Sequence, residues 1–141
     1  MRSRWRGIRM IADPRHMCAV SPGQALRLLA SVPIGRVVFT SDALPAICLV
    51  DHAVVDGEVI IRCHDGAAVL TAIDQVVAYE ADLIAPDTRR GWSVTITGKA
   101  ALVEAAHDVA RYEQALQPCV DTPMNQVIRI APGLITGYEL H

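Results

Sequence analysis

Residues 44–63 read LPAICLVDHAVVDGEVIIRC and contain two apolar runs on either side of Asp56-Gly57. An Asp-Gly pair between such runs favours the tight turn of a β-hairpin. Residues 45–55 and 58–63 are therefore predicted to form neighbouring antiparallel strands.

The second strand leads into residues 64–70, which read HDGAAVL. There the strand is predicted to end, Gly66 to turn the chain, and a short helical turn to begin. Such a junction presents backbone N–H groups to a phosphate. The segment contains no lysine, arginine, serine or threonine, so a phosphate here would have no cationic or hydroxyl partner from the turn itself.

The rest of the chain alternates strand and helix signals. Ser21, Pro22 and Gln24 have the pattern of a helix start, and the apolar spacing after them predicts a helix to about Ser31. Apolar and polar residues alternate over 92–97, as in a strand with one buried face. Further strands are predicted at 36–40, 75–81, 100–103, 125–130 and 134–140, with a loop at 82–90, a bulge or bend at Gly98, a helix at 104–117 and a turn at 131–133.

The order of these elements predicts the fold class. Strands joined by hairpins, without long crossovers, favour an antiparallel barrel over a parallel sheet. The chain has 141 residues, of which 52% are hydrophobic, and a net charge of -2. These values predict one globular domain and give no support to a nucleic-acid-binding protein recruited by charge. We place this domain at 21–141 and interpret residues 1–20 as a disordered or extended N-terminal leader.

The cysteines bear on location and metal binding. Cys18, Cys48, Cys63 and Cys119 include no closely spaced pair of the kind that holds zinc, so no metal site is predicted. Free thiols within apolar strands are typical of a reducing compartment, which indicates the cytoplasm. No apolar stretch approaches the roughly 20 residues of a membrane helix, so no membrane partner is expected.

Four segments together resemble one known family. They are ALRLLASVPIGRVVFT, LPAICLVDHAVVDGEVIIR, VVAYEAD followed by RRGWSVTITGKA, and VIRIAPGLITGYEL, and they span about residues 24–140. In this order they resemble the pyridoxamine 5'-phosphate oxidase-like family of flavin and deazaflavin split β-barrel proteins. The resemblance implies a six-stranded antiparallel split β-barrel with flanking helices. It also implies a homodimer whose cofactor, FMN or a deazaflavin coenzyme, lies between the subunits.

The resemblance also implies which residues form the site. The strand matching 47–52 would run beside the tricyclic ring, the segment matching 61–68 would reach the phosphate, and Trp92 of a second subunit would cover the ring. His64 is the one candidate proton donor. The candidate cofactor-binding residues are Asp51, His52, Arg62, Cys63, Gly66, Ala67, Ala68 and Trp92.

Two segments depart from the family pattern. Residues 49–52 read LVDH where many relatives read PVNY, and Gly66-Ala67-Ala68 replaces GSK or GTK at the phosphate turn. Loss of one cationic and one hydroxyl partner weakens phosphate binding roughly 100-fold, because each hydrogen bond to a charged group contributes about 1.5–3 kcal/mol. Backbone N–H groups and an arginine from outside the turn remain as partners.

For several of these side chains a purely structural role is an alternative to the functional one. Trp92 either contacts a ligand or packs in the core. His52 and His64 either ligate a metal or haem and move protons, or are satisfied by a backbone carbonyl. Asp51 either accepts from the flavin edge or faces solvent, and Cys63 is more simply a core thiol than a redox group.

Two functions follow from these observations. The first is an FMN- or deazaflavin-dependent oxidoreductase acting on a small organic acceptor, in which the cofactor supplies the chemistry. The alternative is a non-catalytic dimeric module that binds haem or another small ligand and whose flavin phosphate site has decayed.

Overall fold

A computed structural model describes residues 17–116 and 124–141 of the chain. The strands are β1 (Met17–Ala19), β2 (Ile34–Ser41), β3 (Leu44–Val55), β4 (Glu58–Cys63), β5 (Val76–Ile84), β6 (Gly91–Leu102) and β7 (Gln126–Leu140). The helices are α1 (Pro22–Ala30) and α2 (Ala106–Ala115), and a single 3-10 turn spans Ala68–Ala72. No described helix is long and apolar enough to cross a membrane.

Six strands form a closed antiparallel barrel. The order is β7-β4-β3-β2-β5-β6, and β6 pairs with β7 to complete the ring, while β1 adds to β7 from outside. Val55 pairs with Glu58 at the Asp56-Gly57 turn, as the hairpin prediction requires. The predicted fold class, a six-stranded antiparallel split barrel with flanking helices, is confirmed.

The barrel core consists of the alternate residues that point inwards. Trp92, Val94 and Ile96 of β6 are buried, as the alternating pattern predicts. Helix α1 packs its buried Ala25 and Leu29 against this core. Its first turn is capped by Ser21, whose hydroxyl accepts a 3.1 Å hydrogen bond from the Gln24 N–H. A second, smaller apolar cluster lies between α2 and the barrel and contains Tyr112 and Leu116.

Two strands are longer than predicted. Strand β5 continues to Ile84, so the predicted loop at 82–90 begins too early, because Asp82 is an exposed strand residue that pairs with Ser93. Strand β7 runs unbroken through residues 131–133, so the predicted turn there is wrong. The register shifts between Thr97, which pairs with Leu134, and Gly98, which pairs with Pro132, so Gly133 is the extra residue of a bulge in β7.

Gly98 fits the bulge because it has no side chain. A Cβ at this position would lie 1.9 Å from the Ala131 carbonyl oxygen, a separation that no packed atom pair tolerates. The predicted bulge at Gly98 is confirmed.

The ends of the domain also differ from the prediction. Helix α2 spans Ala106–Ala115, whereas the predicted helix spans 104–117, and its predicted end falls partly outside the described residues. Met17–Ala19 lie within the predicted leader but pair with Tyr138–Leu140 of β7. The sheet therefore begins before residue 21, and the leader's residues 1–16 lie outside the described residues.

Candidate functional site

A cavity of about 400 Å³ lies beside β3 and β4 and reaches the turn that follows β4. Most of its wall is apolar. The structure brings six of the predicted site residues to this one cavity, namely Asp51, Arg62, Cys63, His64, Ala67 and Ala68. These residues come from the two strands of one hairpin and from the turn that follows it.

Six further residues of the wall are absent from the prediction: Ile34, Cys48, Leu49, Val50, Val69 and Met124. Those of β3 belong to the strand predicted to run beside the ring, so strand alternation was an available signal. Met124 had no such signal, because it reaches the cavity from a distant part of the chain.

The turn after β4 supplies main-chain donors. The Ala67 N–H donates to the His64 carbonyl at 3.1 Å, and the Leu70 N–H donates to the Ala67 carbonyl at 3.0 Å. Ala68 and Val69 lie between Ala67 and Leu70. Neither of their N–H groups has a hydrogen-bond acceptor among the described residues. Both residues line the cavity, so these two donors are available to an anionic group of a ligand.

Arg62 is the cation of the wall and is oriented by the main chain. Its Nε donates to the Met124 carbonyl at 2.8 Å, and its Nη2 donates to the same oxygen. One edge of the guanidinium is therefore occupied. Both N–H groups of Nη1 and the second N–H of Nη2 make no described hydrogen bond, so the edge that these two nitrogens form is open to a ligand.

The His64 ring has a defined tautomer. Its Nδ1 lies 2.8 Å from the Asp65 carbonyl oxygen. A carbonyl oxygen only accepts, so Nδ1 carries the proton and Nε2 of the neutral ring keeps its lone pair. The neutral His64 side chain is consequently an acceptor or a ligand through Nε2, and it donates from that atom only when it is protonated.

The Asp65 carboxylate is tied to the start of β7. It accepts from the Asn125 side-chain amide at 2.9 Å and from the Gln126 side-chain amide. These two hydrogen bonds, led by that of Asn125, lower the pKa of Asp65. The turn therefore carries a negative charge on a carboxylate that the β7 amides hold in place.

Asp51 and His52 point to opposite sides of β3. The Asp51 side chain lines the cavity and is 9% exposed. His52 does not line this cavity, and its Nε2–H donates to the Leu29 carbonyl at 2.8 Å. The backbone-satisfied alternative therefore describes His52 in this chain, and its proposed contact with a cofactor stays a prediction.

Trp92 and Gly66 also lie off the cavity wall. The Trp92 indole is 8% exposed and belongs to the barrel core. Its proposed position over a ring held by a second subunit stays a prediction. Gly66 has a φ of +77°, which lets it form the turn that brings Ala67 and Ala68 to the cavity.

The sequence of this chain matches the model of one known protein family. The family model described as pyridoxamine 5'-phosphate oxidase matches residues 21–139. This chain belongs to that family. The sequence resemblance is therefore confirmed.

Two mycobacterial proteins are similar to this chain, one in sequence and one in its solved structure as well. The uncharacterised protein Rv0080 of Mycobacterium tuberculosis is 46% identical over 132 residues, which cover 89% of this chain and 87% of that protein. The structure of the FAD binding protein from Mycobacterium smegmatis is 30% identical, has a TM-score of 0.75, and covers 88% of this chain and 99% of that chain.

A more distant likeness concerns the fold alone. A conserved protein of unknown function from Corynebacterium diphtheriae is 21% identical and has a TM-score of 0.74. The match covers 89% of this chain and 98% of that protein. The two proteins thus share a fold although most of their residues differ.

Proposed function

We propose that this protein binds a flavin or deazaflavin in the cavity beside β3 and β4 and acts as an oxidoreductase on a small organic acceptor. The observation that carries the proposal is the meeting of Asp51, Arg62, His64 and the Ala67-Ala68 turn at one apolar cavity. Membership of the family and the FAD-binding relative from Mycobacterium smegmatis support it.

The residues present fit such a cofactor. The cavity volume of about 400 Å³ lies within the roughly 300–1,000 Å³ of small-molecule sites, which combine apolar walls with a few polar groups. Ile34, Leu49 and Val50 offer an apolar wall for a flat ring system, and the Ala68 and Val69 N–H groups offer donors at the other end.

A bound flavin or deazaflavin supplies hydride transfer, and the protein supplies binding and orientation. The apolar side chains exclude water from the ring. Arg62, held by Met124, provides a fixed positive charge. The His64 Nε2 atom accepts a proton or a hydrogen bond at the turn, and Asp51 places a carboxylate on the β3 wall.

A second copy of the chain completes the proposed site. Leu49 is 68% exposed and Ile34 is 37% exposed, although both also line the cavity. Large apolar side chains at an open cavity rim are typical of a surface that another chain covers. We therefore place the cofactor at a homodimer interface. The free thiols of Cys18, Cys48 and Cys63 support a cytoplasmic location.

The test is a spectrum of the purified protein followed by a fluorescence titration with flavins and a deazaflavin. We expect flavin or deazaflavin absorbance, or saturable binding with a Kd in the micromolar range or below. Cys48→Phe fills part of the cavity and should weaken binding at least tenfold, whereas Cys18→Phe, on exposed β1, should not. Absence of saturation with every one of these cofactors would remove the proposal.

A non-catalytic ligand-binding module is the second candidate. The observation that favours it is the absence of lysine and arginine from the turn at residues 64–70. A protein of this kind would bind its ligand without turnover. Reduction of the bound cofactor followed by exposure to small organic acceptors separates the two candidates, and a Soret band in the initial spectrum would identify haem as the ligand.

A further inference from the structure

We infer that two copies of this chain associate through the outer face of β2, β3, β5 and β6, and that this association takes up protons and is therefore stronger at lower pH. The inference rests on the proposed function, because it concerns the second copy that we place at the cavity. It depends on three charged side chains of this face, Arg36, Glu80 and Asp82, which we call the charged triad.

The charged triad lies between exposed apolar side chains of one sheet face. Residues opposite one another in antiparallel strands point to the same side of the sheet. One row of opposite residues runs from Leu49 on β3 to Arg36 on β2 and Glu80 on β5. The adjacent row begins with Ile47 on β3 and ends with Leu134 on β7. Leu49, Ile47 and Leu134 are exposed, so a second copy that covers both ends of these rows also covers the triad.

Arg36 neutralises only one of the two carboxylates of the triad. Its Nη1 lies 3.1 Å from Oε2 of Glu80. Asp82 is two residues further along β5, so its carboxylate points to the same side and interacts with that of Glu80. With both carboxylates ionised, the triad therefore carries a single net negative charge. The other charged residues of this face in the described strands β2, β3, β5 and β6 are Asp51 and Lys99, whose charges cancel in the sum.

The neighbouring strands β6 and β7 supply no positive charge to the triad. Thr95 and Ser93 of β6 lie opposite Glu80 and Asp82. Their rows continue to β7 with Thr136 and Tyr138. All four neighbours carry hydroxyl groups, which form hydrogen bonds but do not balance the excess negative charge.

Protonation of the carboxylate pair is already favoured in the single chain. Burial, followed by the hydrogen bond and the charge of Asp82, raises the pKa of Glu80, although Arg36 opposes this effect. A covering second copy removes further water, and a two-fold symmetric contact brings the partner's triad to the same interface. Both effects disfavour the excess negative charge, so the dimer binds a proton more tightly than the monomer. Because this coupling is reciprocal, association becomes stronger as the pH falls.

The dimer dissociation constant, measured by sedimentation over a dilution series, tests the inference. For the wild type we expect it to decrease about threefold or more from pH 8 to pH 5.5, with circular dichroism showing that the protein stays folded. Glu80→Gln and Asp82→Asn each leave a neutral triad. Each should therefore associate about fivefold or more tightly than the wild type at pH 7.5, because like charges brought together at an interface oppose association.

The double variant Glu80→Gln/Asp82→Asn leaves Arg36 without a carboxylate in the triad, so two positive charges meet in the dimer. We expect it to associate more weakly than either single variant at pH 7.5 and to show no tightening in acid. Glu104→Gln, an exposed position between β6 and α2, is the matched control and should behave as the wild type.

A wild-type dissociation constant that is unchanged or larger in acid would overturn the inference and leave the shared site standing. Single variants that associate no more tightly than the wild type, or a double variant that associates more tightly than both, would overturn it as well. A wild type that is monomeric at every pH would instead remove the shared site and the inference with it.

Discussion

The Tyr79 hydroxyl donates a hydrogen bond to Nδ1 of His52 inside the barrel wall. The donor must be tyrosine, because the His52 Nε2–H is already used by the Leu29 carbonyl. This chain of contacts connects β5, β3 and the last turn of α1 through one neutral imidazole. The His52 backbone N–H adds a 2.9 Å bond to the Pro33 carbonyl, so the residue fixes the whole α1–β2 connection.

The buried imidazole predicts a loss of stability in mild acid. Burial lowers the pKa of His52, although the Leu29 hydrogen bond and the Asp51 charge oppose this effect. The unfolded chain, with a histidine pKa of about 6.5, therefore binds the proton first as the pH falls. The free energy of unfolding should decrease below about pH 6.5, with a slope of at most about 1.4 kcal/mol per pH unit from this group.

Urea unfolding of the wild type and of His52→Gln between pH 8 and pH 5 checks this prediction. Glutamine keeps an amide donor for the Leu29 carbonyl but does not titrate. The wild type should lose more stability on acidification than the variant. Parallel curves for the two proteins would show that His52 does not contribute to the pH dependence.

Gly35 should tolerate no larger residue while Tyr79 is in place. A Cβ at Gly35 would lie 2.5 Å from the Tyr79 hydroxyl oxygen and 2.8 Å from the Glu80 carbonyl oxygen. We expect Gly35→Ala to lower the free energy of unfolding by about 1–3 kcal/mol, the usual cost of overpacking.

Tyr79→Phe provides the matched test. It removes the closest atom but leaves Nδ1 of His52 without its donor, which costs about 1–3 kcal/mol. The double variant should therefore lose less stability than the sum of the two single variants. Strict additivity in thermal or urea unfolding would contradict the contact between Gly35 and the phenol.

The thiols should differ widely in reactivity. Burial, followed by the charges of Asp65 and Cys48, raises the pKa of Cys63 to about 11, whereas Cys18 is exposed on β1. At pH 8 only about one Cys63 in a thousand is the reactive thiolate. Alkylation followed by peptide mass spectrometry should label Cys18 in minutes and Cys63 only after unfolding. Equal labelling rates in the native protein would contradict the described burial.

Leu49 should matter to assembly as well as to ligand binding. Leu49 and Ile47 on β3 are 68% and 66% exposed, so they belong to the surface that we propose a second copy covers. Leu49→Asp should convert a dimer into a monomer and weaken cofactor binding at least tenfold. Ala110→Asp on the exposed side of α2 is the control and should change neither. Light scattering coupled to gel filtration measures the mass, and a monomeric wild type would contradict the shared site.

The fold could be predicted where the spacing of apolar residues in the sequence agrees with their burial in the structure. The Asp56-Gly57 turn and the buried Trp92, Val94 and Ile96 follow directly from local chemistry. Prediction failed where an exposed strand residue resembles a loop residue, as at Asp82, and where Pro132 lies in a bulge instead of ending its strand.

In the candidate site, prediction was likewise limited to residues that are close together in the sequence. Arg62 and Ala68 adjoin one turn, so a local pattern could place them together. The partner that holds Arg62, Met124, is 62 residues away, and no local pattern connects the two. His52 follows Asp51 directly, yet strand alternation sends it to Tyr79 on the other side of the wall.

The 15-residue strand β7 pairs with β1, β4 and β6. During synthesis the earlier strands emerge first, and until β7 follows them both β4 and β6 expose an unpaired edge. Nascent chains are therefore most vulnerable to aggregation and proteolysis after β6 has emerged and before β7 pairs with both edges, when the ring lacks only this strand.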